Sequence, residues 1–255
     1  MRNIRLVLVG LRLQVKMLSR SSFNGILGIL YPLFFATVAF FVFQAGAKDA
    51  LPFAALGAAV MGIWSATSTS AGSAMQRERW HGTLELLVAA PSPFSLVMLP
   101  MTIAMSALGL YSMGATLLWG RVLFGIHVTV EHPLLFVLAV VVTVISIGLF
   151  GFLMAVSFVR YRASWALGNL FEYPVWLICG FLVTVDHFPE WVQKIAWTLA
   201  PYWGMNAIRE AATGGTPLPD AGMCAALGLV YLSFGIAISD AMLNAARKRA
   251  TLALT

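Results

Sequence analysis

A single glutamate interrupts a long apolar run, in the string Gly168-Asn169-Leu170-Phe171-Glu172-Tyr173-Pro174. An ionised carboxylate at bilayer depth costs at least ~2.5 kcal/mol, so this side chain must face protein, water or a ligand, or keep its proton. Asn169 lies three residues earlier on the same helical face, and Pro174 loosens the local backbone pattern. Two readings stay open. Glu172 lines a path and meets a cationic or hydrogen-bonding substrate, or it makes a structural hydrogen bond near a subunit interface.

A second stretch, 76–93, carries more pattern than a connecting loop requires: Gln-Arg-Glu-Arg-Trp-His-Gly-Thr-Leu-Glu-Leu-Leu-Val-Ala-Ala-Pro-Ser-Pro. Thr83 is placed to cap a short helix, with Glu85 in its first turn where negative charge is favoured. Leu84, Leu87 and Val88 recur at helical spacing, and Pro91 and Pro93 stop the run. A short amphipathic helix of this kind has the form of a ligand for a groove on a partner protein. Alternatively, Arg77 and Arg79 only set topology while the leucines rest on lipid.

Machinery for covalent or acid–base chemistry is not visible. No G-x-x-x-x-G-K-[ST] string occurs and none of the four lysines follows a glycine, so no usual phosphate-binding loop is present. The four histidines (His81, His127, His132, His187) lack the i, i+4 pairing of a zinc helix. No Ser-His-Asp or paired-carboxylate arrangement stands out. The expectation is therefore no catalytic residue, no metal and no cofactor on this chain. If it moves cargo uphill, the energy comes from a partner or an ion gradient.

The elements that must position these residues are membrane helices. Of 255 residues, 60% are hydrophobic and 10% charged, against roughly 25% charged in soluble domains. Six runs, 23–47, 51–74, 94–118, 134–159, 163–185 and 221–243, approach the ~20 apolar residues that a span needs. Backbone amides in lipid must bond internally, so each run is expected to be helical. Cys179 and Cys224 lie within two of these runs, which implies no disulfide framework. Small hydroxylated residues from Ser65 to Ser73 suit close helix packing or a polar lining. Trp191, Trp197, Tyr202 and Trp203 fit an interfacial aromatic belt.

Twelve of the sixteen Lys and Arg fall in the N-terminal segment, the loops after spans two and four, and the tail. The positive-inside rule then puts both termini in the cytoplasm. The net charge of +6 is mostly this signal plus attraction to anionic lipid, and needs no nucleic acid. Within 1–22, Arg5, Arg12 and Lys16 fall within roughly 40° of one another on a helix, beside a wide apolar face. That pattern reads as an amphipathic helix in the membrane interface rather than a signal peptide. It is either an anchor or a lever touching a soluble partner.

The string Glu78-Arg79-Trp80-His81-Gly82-Thr83-Leu84-Glu85-Leu86-Leu87, followed by Ala90-Pro91, resembles the cytoplasmic loop of the ABC-2-type permeases. These are membrane subunits of ATP-binding-cassette exporters of the type V architecture. A second stretch is similar to theirs: Asn169, Glu172, Pro174, Trp176 and Gly180, then Phe188-Pro189-Glu190-Trp191, Pro201 and Ala207-Ile208-Arg209. Val185-Asp186-His187 departs from the more apolar, proline-bearing segment of many members.

The resemblance implies one all-α transmembrane domain over 1–255, with an interfacial helix at 1–22, a coupling loop at 76–93 and an extracellular re-entrant hairpin at 186–212. It implies a bacterial inner-membrane permease of the drug and natural-product branch, exporting a hydrophobic or amphipathic compound. Glu78, Arg79, Gly82, Thr83, Leu84, Glu85 and Leu87 would couple it to a separate ATPase subunit, which uses the ATP and Mg. Asn169, Glu172 and Trp176 would face the path, and a second copy or a related permease would complete a dimer. Export of a lipid-linked polysaccharide, a peptide antibiotic or an ion stays open within the family. Outside it, the rivals are an ion-driven secondary transporter or channel, for which the inverted repeat is missing, and a structural membrane protein.

Overall fold

The computed structural model describes the backbone of residues 2–20, 22–46, 50–80, 82, 93–158 and 164–249. Side chains are described over 6–16, 30, 32–46, 50–68, 82, 93–158 and 166–242. The described chain is helical: α1 (Arg2–Arg20), α2 (Ser22–Gly46), α3 (Leu51–Trp80), α4 (Phe94–Phe124), α5 (Pro133–Phe158), α6 (Ser164–Ile178), α7 (Glu190–Trp197), α8 (Ala200–Thr213) and α9 (Pro217–Arg249). Four helical stretches are long and apolar enough to cross a bilayer, namely Leu51–Ser68, Phe94–Phe124, Pro133–Phe158 and Pro217–Met242. The described apolar part of α2, Pro32–Gly46, is shorter.

α3 is the hub, lying against α2, α4, α5, α6 and α8. Its Ala59, Val60, Ile63 and Trp64 join Val144 and Ile147 of α5, Val175 and Trp176 of α6, and Met205 and Ile208 of α8 in one buried cluster. Hydroxyls pin these apolar contacts at discrete points. Thr67 and Ser106 share a buried 2.8 Å bond between α3 and α4, and Ser68 Oγ donates to the Gly168 carbonyl of α6 at 2.7 Å. Those two bonds match the packing role that small hydroxylated residues offer in lipid. Outward-facing Phe34, Phe41, Tyr111, Leu118, Leu134, Leu229 and Phe234 are exposed, as a chain solvated by acyl chains requires.

Two boundaries differ from the sequence expectation. The fifth run, expected over 163–185, is helical only to Ile178. Gly180 takes a left-handed conformation (φ +72), and the amides of Phe181 and Gly180 bond back to the carbonyls of Trp176 and Leu177. This glycine-centred cap ends a helix because only glycine adopts that φ without a Cβ penalty. The resulting 15-residue helix is about 22 Å long, short of a ~30 Å hydrocarbon core. At the other boundary, α3 continues through Trp80, so the segment read as a loop from Gln76 begins as helix.

α7 and α8 complete the end of the bundle left open by the short α6. Val185–His187 forms a 3-10 turn, and α7 follows after Pro189. Tyr231 of α9 bridges the turn between α7 and α8, donating to the Thr198 carbonyl at 2.7 Å and accepting from the Ala200 amide at 3.0 Å. The Glu131 and His132 amides bond to the Ala212 and Ala211 carbonyls at the end of α8. Burial, together with the charge of nearby Asp220, pushes the Glu210 carboxyl of α8 above its ordinary range.

Candidate functional site

The residues that drew attention in sequence separate into a seam inside the bundle and a loop at its edge. In the seam, Glu172 is 2% exposed despite its charge. It points from α6 toward α3, where the Ser65 hydroxyl bonds its carboxyl. Its other oxygen, Oε1, has no hydrogen-bond partner among the described residues. Two buried indole N–H groups close in sequence also lack a partner among the described residues: Trp176, one turn along α6, and Trp64, next to Ser65 on α3. Leaving one such group unmade costs about 1–3 kcal/mol, and more for a charged one. The Glu172 oxygen marks a place where water or a polar ligand group has a bond to gain.

Glu172 and Trp176, one turn apart on α6, are both buried, while Asn169 is only half buried. Trp176 packs edge-on against Phe35 of α2 (5.1 Å) and Tyr173 (5.0 Å). The exposed residues of α6 are instead Ala166, Leu170, Phe171, Tyr173, Pro174 and Leu177, most of them spaced along one helical face. Sequence reading did not pair Ser65 with Glu172. The signal was the hydroxyl-rich stretch of span two, whose register against α6 only the packing shows.

Arg209, part of the second resembling stretch, is a junction inside the packed end of the bundle. Its guanidinium donates to the Gly180 carbonyl (Nη1, 2.8 Å) and the Phe181 carbonyl (Nη2, 2.7 Å) and lies 3.3 Å from the centre of the Phe53 ring. Nε has no partner among the described residues. Phe181's carbonyl presses on the α3 backbone at Gly57, where a Cβ would collide with it. α3, α6 and α8 therefore meet at one peptide group.

At the edge, Glu78 and Arg79 stand in the last turn of α3 by backbone. Gly82 is exposed with φ +67, a conformation that ends helices. The expected docking residues Thr83, Leu84, Glu85 and Leu87 lie outside the described residues. α1 is a single helix as expected, with Arg12 and Lys16 exposed beside Leu6, Leu8, Val9 and Leu13; the Arg5 side chain lies outside the described set. α1 rests on α4, where a Cβ at Gly10 would be 3.1 Å from Pro100. Among the described residues no three His, Cys, Asp or Glu gather as metal ligands.

Comparison with individually characterised proteins finds no match. The family profile described as ABC-2 type transporter matches residues 5–212, from α1 through α8. The chain belongs to the ABC-2 type transporter family, and is a membrane permease component of an ABC transporter that works with an ABC ATPase subunit.

Proposed function

We propose that this permease exports a hydrophobic or amphipathic compound from the cytoplasm, driven by ATP hydrolysed on a separate subunit. α1 lies along the inner face of a bacterial inner membrane and both termini are cytoplasmic. The six spans are α2, α3, α4, α5, α6 and α9, with the short α6 reaching only part of the way across and α7–α8 folding back from the outer side as a re-entrant hairpin. Two such permeases pair, because six helices are few to enclose a path. The ATPase grips the segment from Glu78 to Leu87 and rocks the spans when it closes on ATP.

The observation that carries the cargo reading is the Glu172 oxygen that has no partner among the described residues, buried where α6 meets α3. A cargo with an apolar body and a cationic or hydrogen-bonding head supplies the missing partner when rocking opens the seam. Asn169, on the same helix, lies toward one edge of that opening. Replacing Glu172 by Gln keeps the shape and removes the charge. Losing one charge-assisted bond of about 1.5 kcal/mol lowers export of a cationic amphiphile about tenfold.

The test is uptake of ethidium, and of an uncharged dye of similar size, into inverted vesicles holding the native permease–ATPase complex. In Glu172→Gln vesicles, ethidium uptake falls about tenfold and neutral-dye uptake much less. Full transport of both dyes by the variant would remove Glu172 from the mechanism and leave it a packing residue.

A further inference from the structure

Arg209 is a cation held among groups that do not neutralise it. Its partners are two backbone carbonyls and one aromatic ring, and no carboxylate pairs with it among the described residues. Burying a charge without a counter-ion is costly, so a neutral residue would serve a purely static contact better. What Arg209 grips is specific: the carbonyls of the residues that end α6, Gly180 and Phe181. Its ring partner, Phe53, stands on the first turn of α3. One guanidinium therefore ties the ends of two helices that flank the Glu172 seam to the hairpin helix α8.

We infer that Arg209 is a positioning residue for transport: it clamps the α6 break against α3 and closes this end of the seam, and its two carbonyl bonds release when the path opens there. Charge-assisted bonds to carbonyls suit this task. They are strong enough to hold the break and, lacking an ion-pair partner, exchange readily for water when the junction separates. That this end faces outward rests on the orientation proposed above.

The chain carries its own reporter. Cys179 immediately precedes Gly180 and is 1% exposed, while Cys224, on α9, is fully buried in the adjacent cluster around Tyr231. Cells expressing the native permease–ATPase complex in a Cys224→Ser background are treated from outside with a membrane-impermeant maleimide. Without any change at Arg209, labelling of Cys179 is expected to be at least about fivefold greater during ATP turnover than after ATP depletion. Equal labelling would overturn the release step. Arg209→Met is expected to raise labelling by a similar factor even without ATP, with Arg209→Lys in between because it keeps the charge but loses the two-pronged fork.

A parallel Cys179→Ser background reports on Cys224. If Arg209→Met exposes Cys224 as well, or leaves Cys179 protected, the clamp is refuted: the residue is then a general fold element or dispensable. Cys179 labelled in Arg209→Met by membrane-permeant N-ethylmaleimide alone would support the clamp and count against the outward orientation. The two readings therefore fail separately.

Discussion

Reversing one charge at Glu85 (Glu85→Lys) is expected to leave the partner ATPase turning over while export collapses. The sequence predicts Glu85 in the first turn of a short helix capped by Thr83, where exposed amides would favour a carboxylate and oppose an ammonium. The same change reverses the charge offered to the ATPase groove. Coupling between two sites on a protein is typically worth 1–3 kcal/mol, so its loss corresponds to roughly a 5- to 150-fold fall in ATP-driven export. Adding Gly82→Pro should complete the loss, since φ is +67 there and proline is locked near −65°. The measurement is paired: ATP hydrolysis and cargo uptake on the same vesicles. Hydrolysis retained without uptake is the expected result, and coupled uptake surviving both changes would end the docking proposal.

The second large effect is structural. Gly57→Val is expected to destroy the junction at which α3, α6 and α8 meet. A Cβ at Gly57 would run into the carbonyl oxygen of Phe181 and would crowd the guanidinium of Arg209, 3.3 Å away. Neither the α3 backbone nor the capped end of α6 has a flexible side chain that could swing aside. Overpacking usually costs about 1–3 kcal/mol, and a collision with main chain belongs at or above the top of that range. Gly222→Ala is the control, because nothing lies within 4 Å of a Cβ there, and alanine is the better helix former by up to about 1 kcal/mol. Thermal unfolding in detergent should show a clear drop for the first variant and none for the second. Equal stability of the two proteins would mean that the α3–α6 approach is looser than the junction requires.

Much of this architecture was legible in residue types alone. Runs without charge mark the membrane helices, and the third run begins at Phe94 as expected, directly after Pro93. The spacing of Arg5, Arg12 and Lys16 read correctly as one helix, because period and charge suffice for that. The fifth run was read too long. Cys179 through Val185 is as apolar as a helix, and the break depends on the single left-handed backbone at Gly180, which hydropathy does not register. The partner of Glu172 was out of reach for another reason. Ser65 is 107 positions away in sequence, and whether it meets α6 depends on how two helices are rotated against each other. The role of Arg209 was out of reach as well, because the carbonyls that receive its guanidinium are brought to it by packing and not by the sequence around it.

The central claim is that the work is done elsewhere and imported through the inner edge of this chain. The most direct measurement places the purified permease in liposomes, with and without its ATPase subunit, and follows cargo uptake while ATP is added or depleted. Uptake that needs both the subunit and ATP is the predicted result. Full uptake by the permease alone, unchanged when nucleotide is removed, would contradict the account.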